Sequence, residues 1–241
     1  MSMNKFETIY TVLKAEIIEG IYNDTMILPT EMSLTERFGT SRNTIRRAIQ
    51  VLNDEGLVYS VKGRGVVILE STKIDQMFFR VGNFQGLKAL SSVKNVETQT
   101  KVNRFEELTV SETLSAIISF PVGERVYHVE RVRVINGKAM MYDSSYFKKS
   151  IVIDLTAEIA EQSIYDYIEQ QLDFKIAASK TVLKTETATT NDFELLDLGN
   201  NNCVGELENV VYTDKGKLFE HTKIRYIPNE YALVAFEQRK C

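Results

Sequence analysis

The chain has 241 residues, 44% hydrophobic and 26% charged, which suits one large domain or two modest ones with a proper core. Its net charge of −4 gives no overall pull towards nucleic acid, so any DNA contact must come from a local concentration of cations. Cys203 and Cys241 form neither a disulfide framework nor a zinc spacing, His128 and His221 are too few for a histidine metal cluster, and no apolar run approaches a membrane-spanning length, so a cytoplasmic protein without metal or cofactor is expected.

In chain order, Phe6, Ile9, Leu13 and Ile17 predict an amphipathic helix from about Lys5 to Glu19, stopped by Gly20. Pro29 forces an extended approach, and Thr30 is a natural cap for a short helix whose buried stripe is Leu34 and Phe38. Gly39 closes that helix and Ser41 caps the next. In this third helix Ile45, Ala48, Ile49 and Leu52 share one face, while Arg42, Asn43, Thr44, Arg46, Arg47 and Gln50 share the other. The polar face suits a major groove, where Arg reads guanine, Asn or Gln reads adenine, and Thr reaches phosphate or a thymine methyl. The arginines alone fit a solvated basic face equally well.

The flanking sequence favours the groove. Between residues 37 and 64, Arg37, Arg42, Arg46, Arg47, Lys62 and Arg64 face only Asp54 and Glu55. After Gly56, Leu57-Val58-Tyr59 and Val66-Val67-Ile68-Leu69 read as two strands around Lys62-Gly63-Arg64-Gly65, a hairpin wing whose glycines allow close backbone approach. Leu28-Pro29-Thr30-Glu31, Leu34-Thr35-Glu36-Arg37-Phe38-Gly39, Ser41-Arg42-Asn43-Thr44-Ile45-Arg46-Arg47-Ala48-Ile49 and Gly63-Arg64-Gly65 together resemble the winged helix-turn-helix of the GntR family of bacterial regulators. The resemblance implies operator contacts by Arg42, Thr44 and Arg46, minor-groove contacts by Lys62 and Gly63, and a phosphate contact by Arg47. Thr30, Glu31, Ser41, Asn43 and Arg64 complete the expected DNA-binding set.

Residues 71–76 are polar and unpatterned, a linker between a DNA-binding domain at 1–70 and a second domain at 77–241. The second domain shows strand alternation, hairpin turns and one clear helix, an α+β pattern. In the stretch from Val126 to Gly137, Asn136-Gly137 marks a hairpin, and at period two Arg131 and Arg133 share a face with Tyr127 and Val129. Two adjacent cations on a sheet want an anion between them, or serve a surface or a dimer interface. The return strand through Tyr142-Asp143-Ser144-Ser145-Tyr146 brings Asp143 near them, with the register open by a residue. A helix follows at 163–169 with Ile164, Ile168 and Leu172 as its stripe and Ser163 as its cap. On a last hairpin Glu220 and Tyr226 alternate onto one face and His221 onto the other.

Arg131-Val132-Arg133, Tyr142-Asp143-Ser144-Ser145-Tyr146, Ser163-Ile164-Tyr165, Glu220 and Tyr226 resemble the UTRA effector domain of the HutC branch. That domain has a chorismate-lyase-like fold, an antiparallel sheet with helices around a ligand pocket. The resemblance implies a phosphate held by Arg131, Arg133, Ser163 and Tyr165, sugar hydroxyls held by Asp143 and Glu220, and Tyr226 lining the pocket. The entrance loop, often Ser-Phe-Thr in the family, reads Asn83-Phe84-Gln85-Gly86, placing Phe84 and Gln85 at the effector. The expected protein is a homodimer on a palindromic operator, a repressor released by a sugar phosphate. Two alternatives stay open at this point, an effector-independent DNA binder and an enzyme built on the second domain. Against the enzyme, the two histidines are isolated and no nucleophile–base pair or Gly-x-Ser-x-Gly is present, so no catalytic residue is expected.

Overall fold

The computed structural model describes residues 4–70, 97–228, 236 and 238. These fall into two compact units, residues 4–70 with 236 and 238, and residues 97–228.

The first unit contains α1 (Lys5–Ile18), α2 (Glu31–Phe38), α3 (Arg42–Asp54) and a hairpin of β1 (Val58–Val61) and β2 (Gly65–Ile68). Its core gathers Ile9 and Leu13 of α1, Leu34 of α2, Ile45, Ala48, Ile49 and Leu52 of α3, and Val58 and Ile68 of the hairpin. The turn between α2 and α3 has a local cause. Gly39 adopts a left-handed backbone (φ 54°), and the Gly39 and Thr40 amides donate back to the Glu36 and Thr35 carbonyls, closing α2 before Ser41 caps α3. The approach to α2 adds a strand-like pairing absent from the sequence reading. Leu28 N–H donates to Val66 O at 2.9 Å and Ile68 N–H to Met26 O at 2.8 Å, which ties the wing to the helices. Tyr10 and Lys14 of α1 both reach Glu55, just past α3, fixing α1 against the far end of α3.

The second unit is a six-stranded antiparallel sheet in the order β3-β4-β5-β8-β7-β6. Its strands are β3 (Thr98–Thr109), β4 (Arg125–Ile135), β5 (Lys138–Lys148), β6 (Ile176–Thr187), β7 (Cys203–Thr213) and β8 (Leu218–Tyr226). Asn136 and Gly137 both take positive φ, 49° and 80°, the mirror-image turn that matches strand twist in a two-residue hairpin. Four short helices accompany the sheet, α4 (Glu112–Ser115), α5 (Ala157–Glu161), α6 (Ile164–Gln171) and α7 (Thr190–Leu195). Only α6 carries a legible apolar stripe; the others span about one turn and show no period. On one face of the sheet α5 and α6 cover Tyr127, Val129, Phe147 and Val211. On the other, residues around α4 and α7 form two separate apolar clusters, around Phe120 and around Tyr142.

Leu34 is fully buried where α1, α2 and α3 meet. Leu34→Ala should therefore cost about 2–5 kcal/mol. Urea unfolding of the full chain should show this loss in the transition that reports the first unit, leaving the other transition in place.

Candidate functional site

The functional geometry of the second unit starts from strand register. Arg131 lies directly opposite Asp143 across β4–β5, and Arg133 lies opposite Met141, one diagonal away on the same face. Asp143 Oδ2 accepts from Arg131 Nε at 2.8 Å and pairs with Arg131 Nη2 at 2.7 Å, while Oδ1 accepts from Arg133 Nε at 3.1 Å. Arg131 Nη1 reaches the Ala160 carbonyl of α5 at 3.5 Å, and Arg133 Nη1 donates to Thr100 Oγ1 of β3 at 3.1 Å. The register left open by the sequence is thus resolved: both arginines face Asp143.

Asp143 and Arg131 are buried, only 1% and 7% exposed, and Arg133 is half-buried. Burial pushes the Asp143 carboxyl up, but the two guanidinium groups outweigh it and hold the carboxyl below its usual range. Burial lowers the Arg133 pKa, the facing Asp143 carboxylate opposes only part of this, and the neighbouring Arg131 charge adds to it. Two cations around one anion leave a surplus positive charge inside the fold, which favours a further anion.

Glu220 and Tyr226 belong to β8, the next strand. Glu220 sits opposite Phe147 and Tyr226 opposite Met141, so both share the arginine face. Glu220 Oε2 accepts from the Tyr165 hydroxyl at 2.8 Å, and Oε1 lies 2.6 Å from Thr222 Oγ1. Burial, then the nearby Glu220 carboxyl, drive the Tyr165 phenol well above its ordinary pKa, so it stays protonated and donates. Ser163 is the cap of α6, its Oγ accepting from Asp166 N–H at 3.2 Å, three residues beyond the Ala160 carbonyl that Arg131 touches. Arg131, Arg133, Asp143, Tyr165 and Glu220 are therefore brought together by direct contacts or shared partners, with Tyr226 on the same face and Ser163 at the adjoining helix start. Phe84 and Gln85 lie outside the described residues.

Three hydroxyls were not singled out as site residues in the sequence reading, Thr100, Ser145 and Thr222. Ser145 and Thr222 were within reach of it, being two residues from Asp143 and from Glu220 along their strands. Thr100 had no comparable signal, because its strand joins the site by a long connection. The histidines lie on the opposite face. His128 stacks on Tyr146 at 4.3 Å and contacts Glu106 and Ser144. His221 Nδ1 accepts from Ser119 N–H at 3.2 Å, Nε2 stands 3.0 Å from Glu208, and burial lowers its pKa, so it is a neutral ring.

In the first unit, Thr30 Oγ1 accepts from Ser33 N–H and Ser41 Oγ from Thr44 N–H, so both hydroxyls cap helices. Arg42, Asn43, Arg46, Arg47, Lys62, Gly63 and Arg64 are exposed. Arg46 Nε stands 2.9 Å from both carboxylate oxygens of Glu31, which joins the start of α2 to the exposed face of α3. Arg47 leans away from that pair, its guanidinium 3.8 Å above the Phe6 ring of α1. At the wing tip Gly63 has φ 82°, a conformation that favours glycine. Among the described residues no group of three or more His, Cys, Asp or Glu could hold a metal, and no helix is long and apolar enough to cross a membrane.

A helix-turn-helix with a basic wing, joined to a sheet domain with a buried anion-seeking cluster, defines a ligand-responsive DNA-binding protein. Comparison with known proteins agrees. Residues 5–68 match the family described as bacterial regulatory proteins, gntR family, and residues 94–232 match the UTRA domain. The chain is 34% identical over 239 residues to the HTH-type transcriptional regulator TreR of Bacillus subtilis (strain 168), covering 99% of each. It is 30% identical over 230 residues to the HTH-type transcriptional repressor NagR of the same organism, covering 94% of this chain and 92% of NagR. Among solved structures, the effector-binding domain of the B. subtilis trehalose repressor (TreR) aligns with TM-score 0.54 at 31% identity, covering 59% of this chain and 99% of that domain. The possible regulator YydK of B. subtilis aligns with TM-score 0.78 at 25% identity, covering 98% of this chain and all of YydK. The chain belongs to the GntR family of bacterial regulators and carries a UTRA domain; it is a transcriptional regulator of the GntR/HutC type.

Asp143→Asn removes the one anion shared by buried Arg131 and half-buried Arg133 and should cost about 3–5 kcal/mol. Phosphate or sulfate should restore part of that loss in the variant and do less for the wild type, read by thermal unfolding with and without the salt. The sign with pH follows from the depressed pKa. The stabilisation from Asp143 is complete above the ordinary carboxylate range and disappears as pH falls through the lowered value.

Proposed function

We propose that this regulator is a cytoplasmic repressor of a carbohydrate-utilisation operon, released from its operator by a phosphorylated sugar. The observation that carries the reading is the buried Arg131–Asp143–Arg133 cluster, a preformed seat with surplus positive charge. A phosphoryl group would engage both guanidinium groups with Ser163 and Tyr165, and sugar hydroxyls would bond Asp143 and Glu220 beside Tyr226, with Phe84 and Gln85 at the entrance. Bidentate guanidinium–phosphate bonding suits such a ligand better than a neutral sugar. The names of the relatives support the class, one being a trehalose repressor. We read residues 1–70 as the DNA-binding domain, 71–76 as linker and 77–241 as the effector and dimerisation domain. The protein binds its ligand rather than turning it over, and needs no cofactor.

On DNA, the protein would act as a homodimer on a palindromic operator, with Arg42, Asn43, Thr44 and Arg46 in the major groove of each half-site. Thr30, Ser41 and Arg47 serve the backbone contacts or the geometry behind them, Glu31 works through Arg46, and Lys62, Gly63 and Arg64 enter the minor groove. The ligand releases the operator by favouring an arrangement of the dimer that no longer matches the half-site spacing, which requires it to bind the two arrangements with different affinity.

A thermal-shift screen tests the effector. Trehalose 6-phosphate, glucose 6-phosphate, glucosamine 6-phosphate and N-acetylglucosamine 6-phosphate should each be run beside the unphosphorylated parent. A true effector at about a hundredfold over its Kd adds about 2.7 kcal/mol of stability. The shift should need the phosphate and vanish in Arg133→Ala; no shift with any phosphorylated sugar refutes the effector assignment. On the DNA side, Arg46→Ala should weaken binding to an operator selected by the wild type by about 1–3 kcal/mol and relax preference at one base position. Lys62→Ala should weaken all sequences alike and flatten the salt dependence, both measured by fluorescence anisotropy at stated salt.

A further inference from the structure

Asp143 and Glu220 are two buried carboxyl groups linked by two hydroxyls. Glu220 Oε1 lies 2.6 Å from Thr222 Oγ1, Thr222 Oγ1 lies 2.8 Å from Ser145 Oγ, and Ser145 Oγ lies 3.4 Å from Asp143 Oδ2. Thr222 and Ser145 are paired directly across β8–β5, so the line is set by register. None of the four residues is more than 4% exposed.

Each hydroxyl has one proton to give, so a line in which all three contacts are hydrogen bonds runs in one direction only; the reverse order, Ser145 to Thr222 to an ionised Glu220, leaves the 3.4 Å contact to Asp143 unmade. Asp143 faces two guanidinium groups and is ionised, so it only accepts, and in the complete line the Ser145 proton points to it. With that proton used, the 2.8 Å contact takes the Thr222 proton. The 2.6 Å contact between Thr222 and Glu220 then needs a proton that neither Thr222 nor Ser145 has left. Tyr165 cannot supply it, since its hydroxyl proton goes to the other oxygen, Oε2.

We propose that Glu220 stands in the ligand-free site as a neutral carboxylic acid, donating to Thr222 at the head of a relay Glu220→Thr222→Ser145→Asp143, with Thr222 and Ser145 as its positioning residues. The surroundings favour this form. The cross-strand neighbours of Glu220 are Phe147 and Val211, both apolar, so the carboxyl is desolvated from both sides. The charged or titratable groups on its face include Tyr127, Arg131 and Arg133 of β4, Asp143 of β5, Tyr165 and Tyr167 of α6 and Tyr226 of β8, with Glu107 of β3 opposite Tyr127. Desolvation raises the Glu220 pKa with help from the Asp143 charge, against the opposing pull of Thr222, Tyr165 and Arg131. A carboxylic acid held neutral in order to donate a hydrogen bond has precedent in apolar enzyme sites.

The functional consequence rests on the effector reading above. A phosphoryl dianion at Arg131 and Arg133 brings more negative charge towards Glu220 and tightens its hold on the proton. Where Glu220 is partly ionised, binding takes up a proton, and affinity falls as pH rises through the Glu220 titration.

Carbon-13 NMR of the ligand-free full chain tests the protonation state, with the Glu220 carboxyl assigned by its loss in Glu220→Gln. Glu220 should titrate above the ordinary carboxylate range. In Thr222→Val, which removes the acceptor, its titration should move down, and in Ser145→Ala, which breaks the relay, it should move the same way. Titration of the wild type in the ordinary range overturns the proposal. So does an upward move in Thr222→Val, since that would make Thr222 the donor to an ionised Glu220. Calorimetry with glucose 6-phosphate and inorganic phosphate in buffers of different ionisation enthalpy then reads the linkage, Glu220→Gln subtracting the ligand's own protons. Greater proton uptake by the wild type than by Glu220→Gln supports the linkage, and equal exchange overturns it. If neither probe binds, that counts against the effector reading, while the NMR titration still decides the state of Glu220.

Discussion

The second unit depends on one ionic arrangement, two guanidinium groups sharing the Asp143 carboxylate on the helix-covered face of the sheet. Burying three charges is costly unless each is paired and hydrogen-bonded. Here Asp143 accepts from both arginines, Arg131 also reaches the Ala160 carbonyl, and Arg133 also reaches Thr100. These partners come from β3, β4, β5 and the helix above, so the cluster ties four elements through polar contacts. A hydrophobic replacement of similar volume could hold the same layers together. The ionic version adds what such a core lacks, a residual positive charge that an incoming anion can neutralise.

The first unit is built on the opposite principle. Its interior is aliphatic, from Ile9 and Leu13 through Leu34 to Ile45, Ile49 and Leu52, and its charges stay on the outside. That separation suits a rigid reading head. Arg46 is held by Glu31 across the α2–α3 turn, so in the proposed DNA contact its orientation would be partly set beforehand, which reduces the side-chain entropy lost on binding. Arg47, the next residue of α3, is instead seated on the Phe6 ring of α1.

Much of this was legible in the sequence because it depends on local period. The α3 stripe of Ile45, Ala48, Ile49 and Leu52 is buried as the helical spacing requires, and Asn136-Gly137 makes the hairpin turn its composition demands. Face sharing by Arg131 and Arg133 followed from strand alternation. The rest depends on what lies opposite, which alternation does not specify. The β4–β5 pairing shifts between Arg133 and Val134, so counting back from the turn misplaces by one every partner beyond that shift. Thr100 reaches Arg133 from a strand more than thirty residues earlier, and the Met26–Leu28 pairing with β2 rests on two backbone bonds that leave no mark on side-chain pattern. The stacking of Arg47 on Phe6 likewise joins residues whose proximity only the packing of α1 against α3 creates.

If the proposed effector seat is the Arg131–Asp143–Arg133 cluster, its contacts also explain how a buried site can respond to a ligand without unfolding. The arginines are held in place by partners other than the exchangeable one, so an anion meets donors already fixed and loses little to ordering them. What must change is the environment of Asp143, which gives up part of its contact with the guanidinium groups. Asp143 is linked through Ser145 and Thr222 to Glu220, and Glu220 to Tyr165 on α6. A shift at the ion pair is therefore felt in β8 and in the helix over the sheet through contacts shorter than 3.5 Å, all inside one unit. The connection is a route by contact, and its strength as coupling equals the difference in ligand affinity between the two arrangements of those elements. A site built only from aliphatic packing would offer no such difference to a phosphorylated ligand; under the proposed reading one built from a shared carboxylate does, because such a ligand and Asp143 would compete for the same two cations.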